Sequence, residues 1–136
     1  LIDEDARAFD KVMAAFRLPK ETEEQRKQRA EQIQMALKSA SEVPMEVAKQ
    51  CMEVIVTARE VALKGNQNAV SDAGVAALVA RAGLLGASLN VKINLASVKD
   101  EKYKEEVSRE LKELEEDSKA LVDEIAGIVK SRLPGA

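Results

Sequence analysis

A chain of 136 residues with 46% apolar side chains is one domain with enough material for a core, and few aromatics beside much Ala, Glu, Lys and Leu favour helices over a sheet. Its 21 basic and 24 acidic residues leave a net charge of -3 with no basic stripe interleaved with aromatics, which argues against nucleic acid as a partner. One cysteine and no histidine exclude an internal disulfide, a His/Cys zinc centre and triads that need imidazole, so no metal is expected.

The first helix is expected over residues 1–17, where Phe9, Val12, Met13 and Phe16 follow the i, i+3, i+4, i+7 pattern of a buried face and Asp5 borders that face one turn earlier. Leu18-Pro19-Lys20 breaks it, because proline disfavours helix at the residue before it. Thr22 with Gln25 makes a capping box for a second helix running to about Ala40, with a solvated charged start and a narrow stripe of Ala30, Ile33, Leu37 and Ala40. Val43-Pro44 is read as the start of a third helix, Pro44 taking the first helical position, where its missing amide hydrogen costs nothing. Val47, Cys51, Val54, Ala58 and Val61 form one stripe on it and Ala48, Ile55 and Ala62 another, so it is broad-faced and central. Cys51 reads as a packed thiol, with no base nearby in sequence to activate it.

Lys64-Gly65-Asn66 is a helix stop, since glycine tolerates the left-handed conformation, and Ser71 or Asp72 is placed to cap the next helix. That helix, to Leu95, carries Val75, Leu78, Val79, Leu85, Leu89 and Ile93 on more than one face and is expected in the interior, with Gly74, Ala77, Gly83, Gly86 and Ala87 admitting close neighbours. Its apolar run from Val75 to Leu89 is interrupted by Arg81 and stops short of the roughly 20 residues that span a membrane, so no membrane partner is expected. Asn90 and Asn94, four apart, share one face, and buried amides require partners from protein, water or ligand. Asp100 caps a last helix to about Leu133, whose Val107, Leu111, Leu114, Ser118, Leu121, Ile125 and Ile128 repeat with 3,4 spacing along a bundle seam; Pro134-Gly135 ends it. No signal peptide is seen, which points to the cytoplasm, while Leu1 in place of Met places the native start further upstream. The residue pattern by itself leads to a helical bundle with a polar pocket.

Asp5-Ala6-Arg7-Ala8-Phe9, Leu18-Pro19-Lys20, Val43-Pro44, Gly65-Asn66, Asn68, Ser71-Asp72, Asn90-Val91 and Ile93-Asn94 together resemble the cyclodeaminase/cyclohydrolase family of folate enzymes. That family includes the cyclodeaminase half of formiminotransferase-cyclodeaminase and stand-alone bacterial methenyltetrahydrofolate cyclohydrolases, and the run from Gly65 to Ala76 looks closer to the latter. The resemblance covers nearly the whole chain. It implies an all-α, up-and-down multi-helix bundle, one domain over 1–136, a homodimer, and a folate site near the subunit interface. It also implies a leading segment, with a Pro-Gly-Gly-Gly turn and an apolar helix, that has no counterpart in these residues.

The implied activity is hydrolysis of 5,10-methenyltetrahydrofolate to 10-formyltetrahydrofolate, with no cofactor beyond the tetrahydrofolate that carries the substrate carbon. The alternatives are a formiminotetrahydrofolate cyclodeaminase that releases ammonia and a non-catalytic helical dimerisation module. A methenyl bridge is an amidinium-like cation, so its hydrolysis needs a positioned water, a carboxylate to stabilise the cation and accept a proton, and donors for the developing alkoxide. Asp72 is the first choice for that carboxylate and Asp5 the second. Asn66, Asn68, Ser71, Asn90 and Asn94 are the candidate substrate-binding residues, because an amide both donates and accepts. Each has a plainer reading: Asp72 as a helix cap, the asparagines as a structural network, Asp5 as an ion-paired boundary carboxylate. Lys64 and Arg81 would meet a glutamate tail or serve only their helices.

Overall fold

The computed structural model describes residues 1–133 as four helices: α1 (Ile2–Phe16), α2 (Glu23–Lys64), α3 (Val70–Leu95) and α4 (Glu101–Arg132), with a short 3-10 turn at Gln67–Ala69 before α3. Pro134-Gly135 lies outside the described residues. Short connections make α1, α2 and α3 successive antiparallel neighbours. Cross-bridges then show α4 returning antiparallel to α3, through Lys92 with Glu115, and parallel to α2, through Lys38 with Asp100 and Arg59 with Glu124.

Two of the helix starts are built as their sequences predict. The Thr22 hydroxyl accepts from the Gln25 amide at 3.2 Å while the Gln25 side chain accepts from the Thr22 amide, a reciprocal pair that satisfies two otherwise orphaned donors. Asp100 accepts from the Tyr103 amide at 3.1 Å and from Lys38 at 2.6 Å, and the Lys38 bond is the main reason its carboxyl sits below the ordinary aspartate range.

The expected break between a second and a third helix does not exist. α2 is continuous for 42 residues and carries Pro44 in its interior rather than at a first position. Interior proline removes one helical hydrogen bond and ordinarily costs about 3 kcal/mol. Here the orphaned carbonyl, Ala40, receives the side-chain amide of Asn94 at 3.0 Å. On the other side of the same turn, the Tyr103 hydroxyl donates to Lys38 O at 3.2 Å and pairs with buried Ser41 at 2.8 Å. Neighbouring helices thus brace the segment that proline would loosen.

The core runs along α2. At one end Ile33, Leu37 and Met45 meet Val91, Leu95 and Leu111; at the other Ile55, Ala58 and Ala62 meet Ala73, Ala77, Val122 and Ile125, with Ala48, Leu84 and Ala87 between. The α4 seam is as expected, with Leu111, Ser118 and Ile125 buried and Val107, Leu114, Leu121 and Ile128 half-buried. Glycine permits two close crossings: a Cβ at Gly74 would lie 3.2 Å from Val129, and one at Gly83 would lie 3.1 Å from the Cys51 sulfur. Cys51 is half-buried at that crossing, and burial holds its thiol above the ordinary range, as packing rather than reactivity requires.

Two faces differ from expectation. In α1 the seated residues are Ala8, Val12 and Ala15, while Phe9, Met13 and Phe16 are exposed. This helix of 15 residues packs mainly on α2, and its small side lets it approach closely; Arg29 stacks at 5.7 Å on the Phe16 ring and donates to the Phe16 carbonyl. In α3, alanines face inward, with Ala77 fully buried, while Val75, Leu78, Val79, Leu89 and Ile93 face outward and are 59–69% exposed. The helix is therefore interior on one side only, because α2 and α4 leave its far side uncovered. By length and composition the stretch Gln67–Leu95 would suffice to cross a membrane, and Arg81 does not prevent this; here its small side is spent on α2 and α4.

α3 and α4 also share a polar contact. Ser88 and Lys92 both donate to Glu115, the lysine at 2.7 Å. Burial pushes the Glu115 carboxyl upward, but the two donors together outweigh it and hold it below the ordinary glutamate range. The contact therefore contributes fully above that range and is lost as pH falls through the lowered value.

Candidate functional site

The turn from Gly65 to Asp72 is built differently from its expected form. Gly65 ends α2 with φ -65° and ψ 164°, an extended rather than left-handed conformation. Glycine is required there by space, since a Cβ would lie 2.5 Å from the Val61 carbonyl oxygen. The cap is Asn66, whose side chain accepts from the Ala69 amide at 3.0 Å. The 3-10 turn feeds straight into α3, so Ser71 and Asp72 fall inside the first helical turn and neither caps it. Asp72 keeps the favourable position for a negative charge at a helix start.

Arg132, at the end of α4, closes this turn from outside. Its guanidinium donates to the carbonyls of Ala62, Leu63 and Gly65, the last at 2.8 Å, and the Gln67 amide donates back to the Arg132 carbonyl at 3.2 Å. These are carbonyls that the end of α2 leaves without helical partners. Arg132→Ala is expected to lower unfolding free energy by about 2 kcal/mol, as for hydrogen bonds from a charged donor. Arg132→Lys should regain less than half of the loss, since an ammonium cannot span three acceptors as the planar fork does. Denaturant unfolding measures both; an unchanged midpoint for Arg132→Ala would remove the clasp from the account.

Two hollows lie along the seam between α2 and α3. The larger, about 650 Å³, is lined by Glu46, Gln50, Glu53, Val54, Thr57, Ala58 and Val61 of α2 and by Ala69, Asp72, Ala73 and Ala76 opposite. The smaller, about 270 Å³, is lined by Leu1 and Asp5, by Val43, Pro44 and Val47 of α2, and by Ala87 and Asn90 of α3. They fall on one stripe of each helix. α3 is unbroken between them, so Asp72 and Asn90 are separated by about 27 Å at 1.5 Å per residue. One pterin cannot touch both within a single chain.

The structure thus joins Asp5 to Asn90 and places Asp72 with two glutamates that the sequence reading passed over. Glu46, Gln50, Glu53 and Thr57 recur at helical spacing on one face of α2, and that polar stripe was the available signal. Asp72 has no ion pair among the described residues, so its charge is uncommitted. Ser71 turns the other way, into an apolar groove of about 340 Å³ between α3 and α4. Asn66 is engaged as a cap, Asn68 is exposed on the 3-10 turn, and Asn94 is half-buried and committed through its nitrogen to Ala40. Lys64 pairs with Glu60 at 2.5 Å, and Arg81, whose Nε is buried without a partner among the described residues, lines neither seam hollow. Among the described residues no cluster of three His, Cys, Asp or Glu is placed to hold a metal ion.

The larger hollow has an apolar floor of Ala58, Ala73, Ala76, Val54 and Val61 under three carboxylates. A flat ring gains from such a floor, and a positive charge on that ring gains from the rim.

Comparisons with known proteins show what the chain is similar to. The family model described as Formiminotransferase-cyclodeaminase matches residues 1–113. The chain is 47% identical over 133 residues to a methenyltetrahydrofolate cyclohydrolase of Methylorubrum extorquens, covering 98% of this chain and 64% of that protein. It is 35% identical to the formimidoyltransferase-cyclodeaminase of Mus musculus, covering 97% of this chain and 24% of that one. The crystal structure of formiminotetrahydrofolate cyclodeaminase from Thermotoga maritima superposes with a TM-score of 0.70 at 30% identity, covering 97% of this chain and 60% of that chain. The chain thus spans less than two thirds of the length of these relatives. A family match over residues 1–113, together with the same helical fold, makes this chain a member of the formiminotransferase-cyclodeaminase family.

Proposed function

We propose that the protein is a methenyltetrahydrofolate cyclohydrolase that uses no cofactor beyond the tetrahydrofolate carrying its substrate carbon. The observation that carries this reading is the acid-rimmed hollow between α2 and α3, where Asp72, Glu46 and Glu53 surround an apolar floor. The methenyl bridge is cationic, and the rim stabilises it where the floor receives the ring. Asp72 accepts a proton from the water that adds to the methenyl carbon. That proton passes to the leaving nitrogen as its bond to the carbon breaks, the new hydroxyl loses its own proton to solvent, and the formyl group stays on the other nitrogen. Asp5 and Asn90, in the second hollow, bind a more distant part of a folate.

The likeness to the Thermotoga maritima cyclodeaminase favours a second reading, in which the folate's own nitrogen attacks a formimino carbon and ammonia leaves. The two are separated by offering both substrates and following loss of methenyl absorbance and release of ammonia independently. Methenyl loss without ammonia supports the hydrolase; ammonia release from the formimino substrate alone supports the cyclodeaminase. Turnover of neither would leave a helical dimerisation module.

The same reading makes the protein a homodimer. Val75, Val79, Ala82, Gly86, Leu89 and Ile93 recur at 3,4 spacing along the exposed side of α3, and a stripe of that kind is the seam of a helix pair. A free thiol at Cys51 suits the reducing cytoplasm.

A further inference from the structure

We infer that Asn94 is a positioning residue, whose side chain supplies to α2 the hydrogen bond that Pro44 cannot make and so sets α2 against α3 at the hollow shared by Pro44, Asp5 and Asn90. In a regular helix the amide of residue 44 would donate to the carbonyl of residue 40. Proline has no such hydrogen, and Ala40 is only 6% exposed, so water does not readily replace it. The Asn94 nitrogen stands 3.0 Å from that carbonyl, reaching across from α3 over 54 residues of sequence. Pro44 itself is buried and lines the hollow, together with Asn90, which lies one turn before Asn94 on the same helix. Asn94 lines neither seam hollow. The proline and the asparagine are therefore one device: the first opens a gap in the ladder of α2, and the second fills it from α3.

This assigns Asn94 a role that acts through backbone, and the consequence for folate rests on the cyclohydrolase reading. The hydrogen bond itself is tested without folate. Asn94→Ala is expected to lower the thermal midpoint by about 5 °C, the size expected for a buried carbonyl left unpaired in a domain of this length. Asn94→Asp, which keeps the shape but presents an acceptor to an acceptor, should lower it at least as far. Pro44→Ala restores the backbone donor. It should raise the midpoint at least about 5 °C more in the Asn94→Ala background than in the wild-type chain, a coupling that independent sites do not show. Equal gains in both backgrounds would overturn the inference.

Titration with methenyltetrahydrofolate supplies the readout that a purely structural role would not move. Asn94→Ala should weaken binding about tenfold by shifting Asn90 and Asp5, about 1.4 kcal/mol, whereas in the Pro44→Ala background the same substitution should leave binding unchanged. A double variant that melts like Pro44→Ala alone yet binds more weakly than it does would mean that Asn94 touches the ligand, which overturns the positioning role. A wild-type chain that binds no folate would overturn the functional reading, while the melting comparison still decides the Asn94–Pro44 coupling.

Discussion

Asp72→Asn is expected to lower kcat by about 100-fold or more, the range associated with removing a positioned general base or its electrostatic support, with folate affinity changed by less than about threefold, under 1 kcal/mol. The substitution keeps the size of the side chain and removes only its charge and its capacity to accept a proton. Asp72 is exposed, caps nothing and forms no ion pair among the described residues, so the fold loses only its modest interaction with the start of α3, of the order of 0.5 kcal/mol. On the proposed reading, binding rests on the apolar floor and on Glu46 and Glu53, which remain. Glu46→Gln and Glu53→Gln should behave in the opposite sense, raising KM with a smaller effect on kcat, because they stabilise the cation in ground and transition state alike. The three variants are compared by kcat and KM on methenyltetrahydrofolate. An unchanged kcat for Asp72→Asn would remove it from the proton transfer, and a larger fall for either glutamate would move the base to α2.

What could be read in the sequence, and what could not, follows from the range of each interaction. The caps at Thr22 and Asp100 and the seam of α4 are set within three or four residues, so their patterns predicted them directly. Pro44 misled because the donor that keeps α2 continuous lies on α3, far away in sequence. Gly65 and Asn66 marked a turn correctly, but the cap fell on Asn66 because the 3-10 turn runs into α3 without a break. Phe9, Met13 and Phe16 had the spacing of a buried face, yet hydrophobic spacing says that a face is apolar and leaves open what covers it. α3 shows the same limit more strongly: Val75, Leu78, Val79, Leu89 and Ile93 point outward while Ala73, Ala77 and Ala80 join Leu84 and Val91 on the inner side, an order that close packing on α2 explains. Of the candidate site, Asp5 and Asn90 were legible as polar residues beside apolar stripes. Glu46 and Glu53 were not singled out, since a carboxylate on a long charged helix looks the same whether it faces solvent or a hollow. Arg132 gave no local signal at all, because its partners lie some 70 residues away.

The outward face of α3 leads to the second large effect. Val79→Glu should convert a stable dimer to monomer, weakening association by more than about 100-fold, because an unpaired carboxylate would be buried within the contact. Val79 is 66% exposed within one chain, so the monomer should melt close to wild type apart from the lost association. Light scattering and thermal melting measure the two together, and a wild-type chain that is monomeric at micromolar concentration would remove the interface. The stripe from Val75 to Ile93 is centred near Leu84, so an antiparallel two-fold pairing sets the Asp72 end of one copy beside the Asn90 end of the other. The unbroken α3 keeps these ends about 27 Å apart within a chain, and such a dimer would bring them to one folate. Asp72→Asn and Asn90→Ala should therefore each be inactive alone and partly active when mixed. Random exchange makes half of the dimers mixed, and one of the two sites in each of these carries both native residues, so about a quarter of wild-type activity is expected from the symmetry. Adding Val79→Glu to both chains should abolish the recovery. A mixture that stays inactive while mixed dimers are shown to form would place each site wholly within one chain.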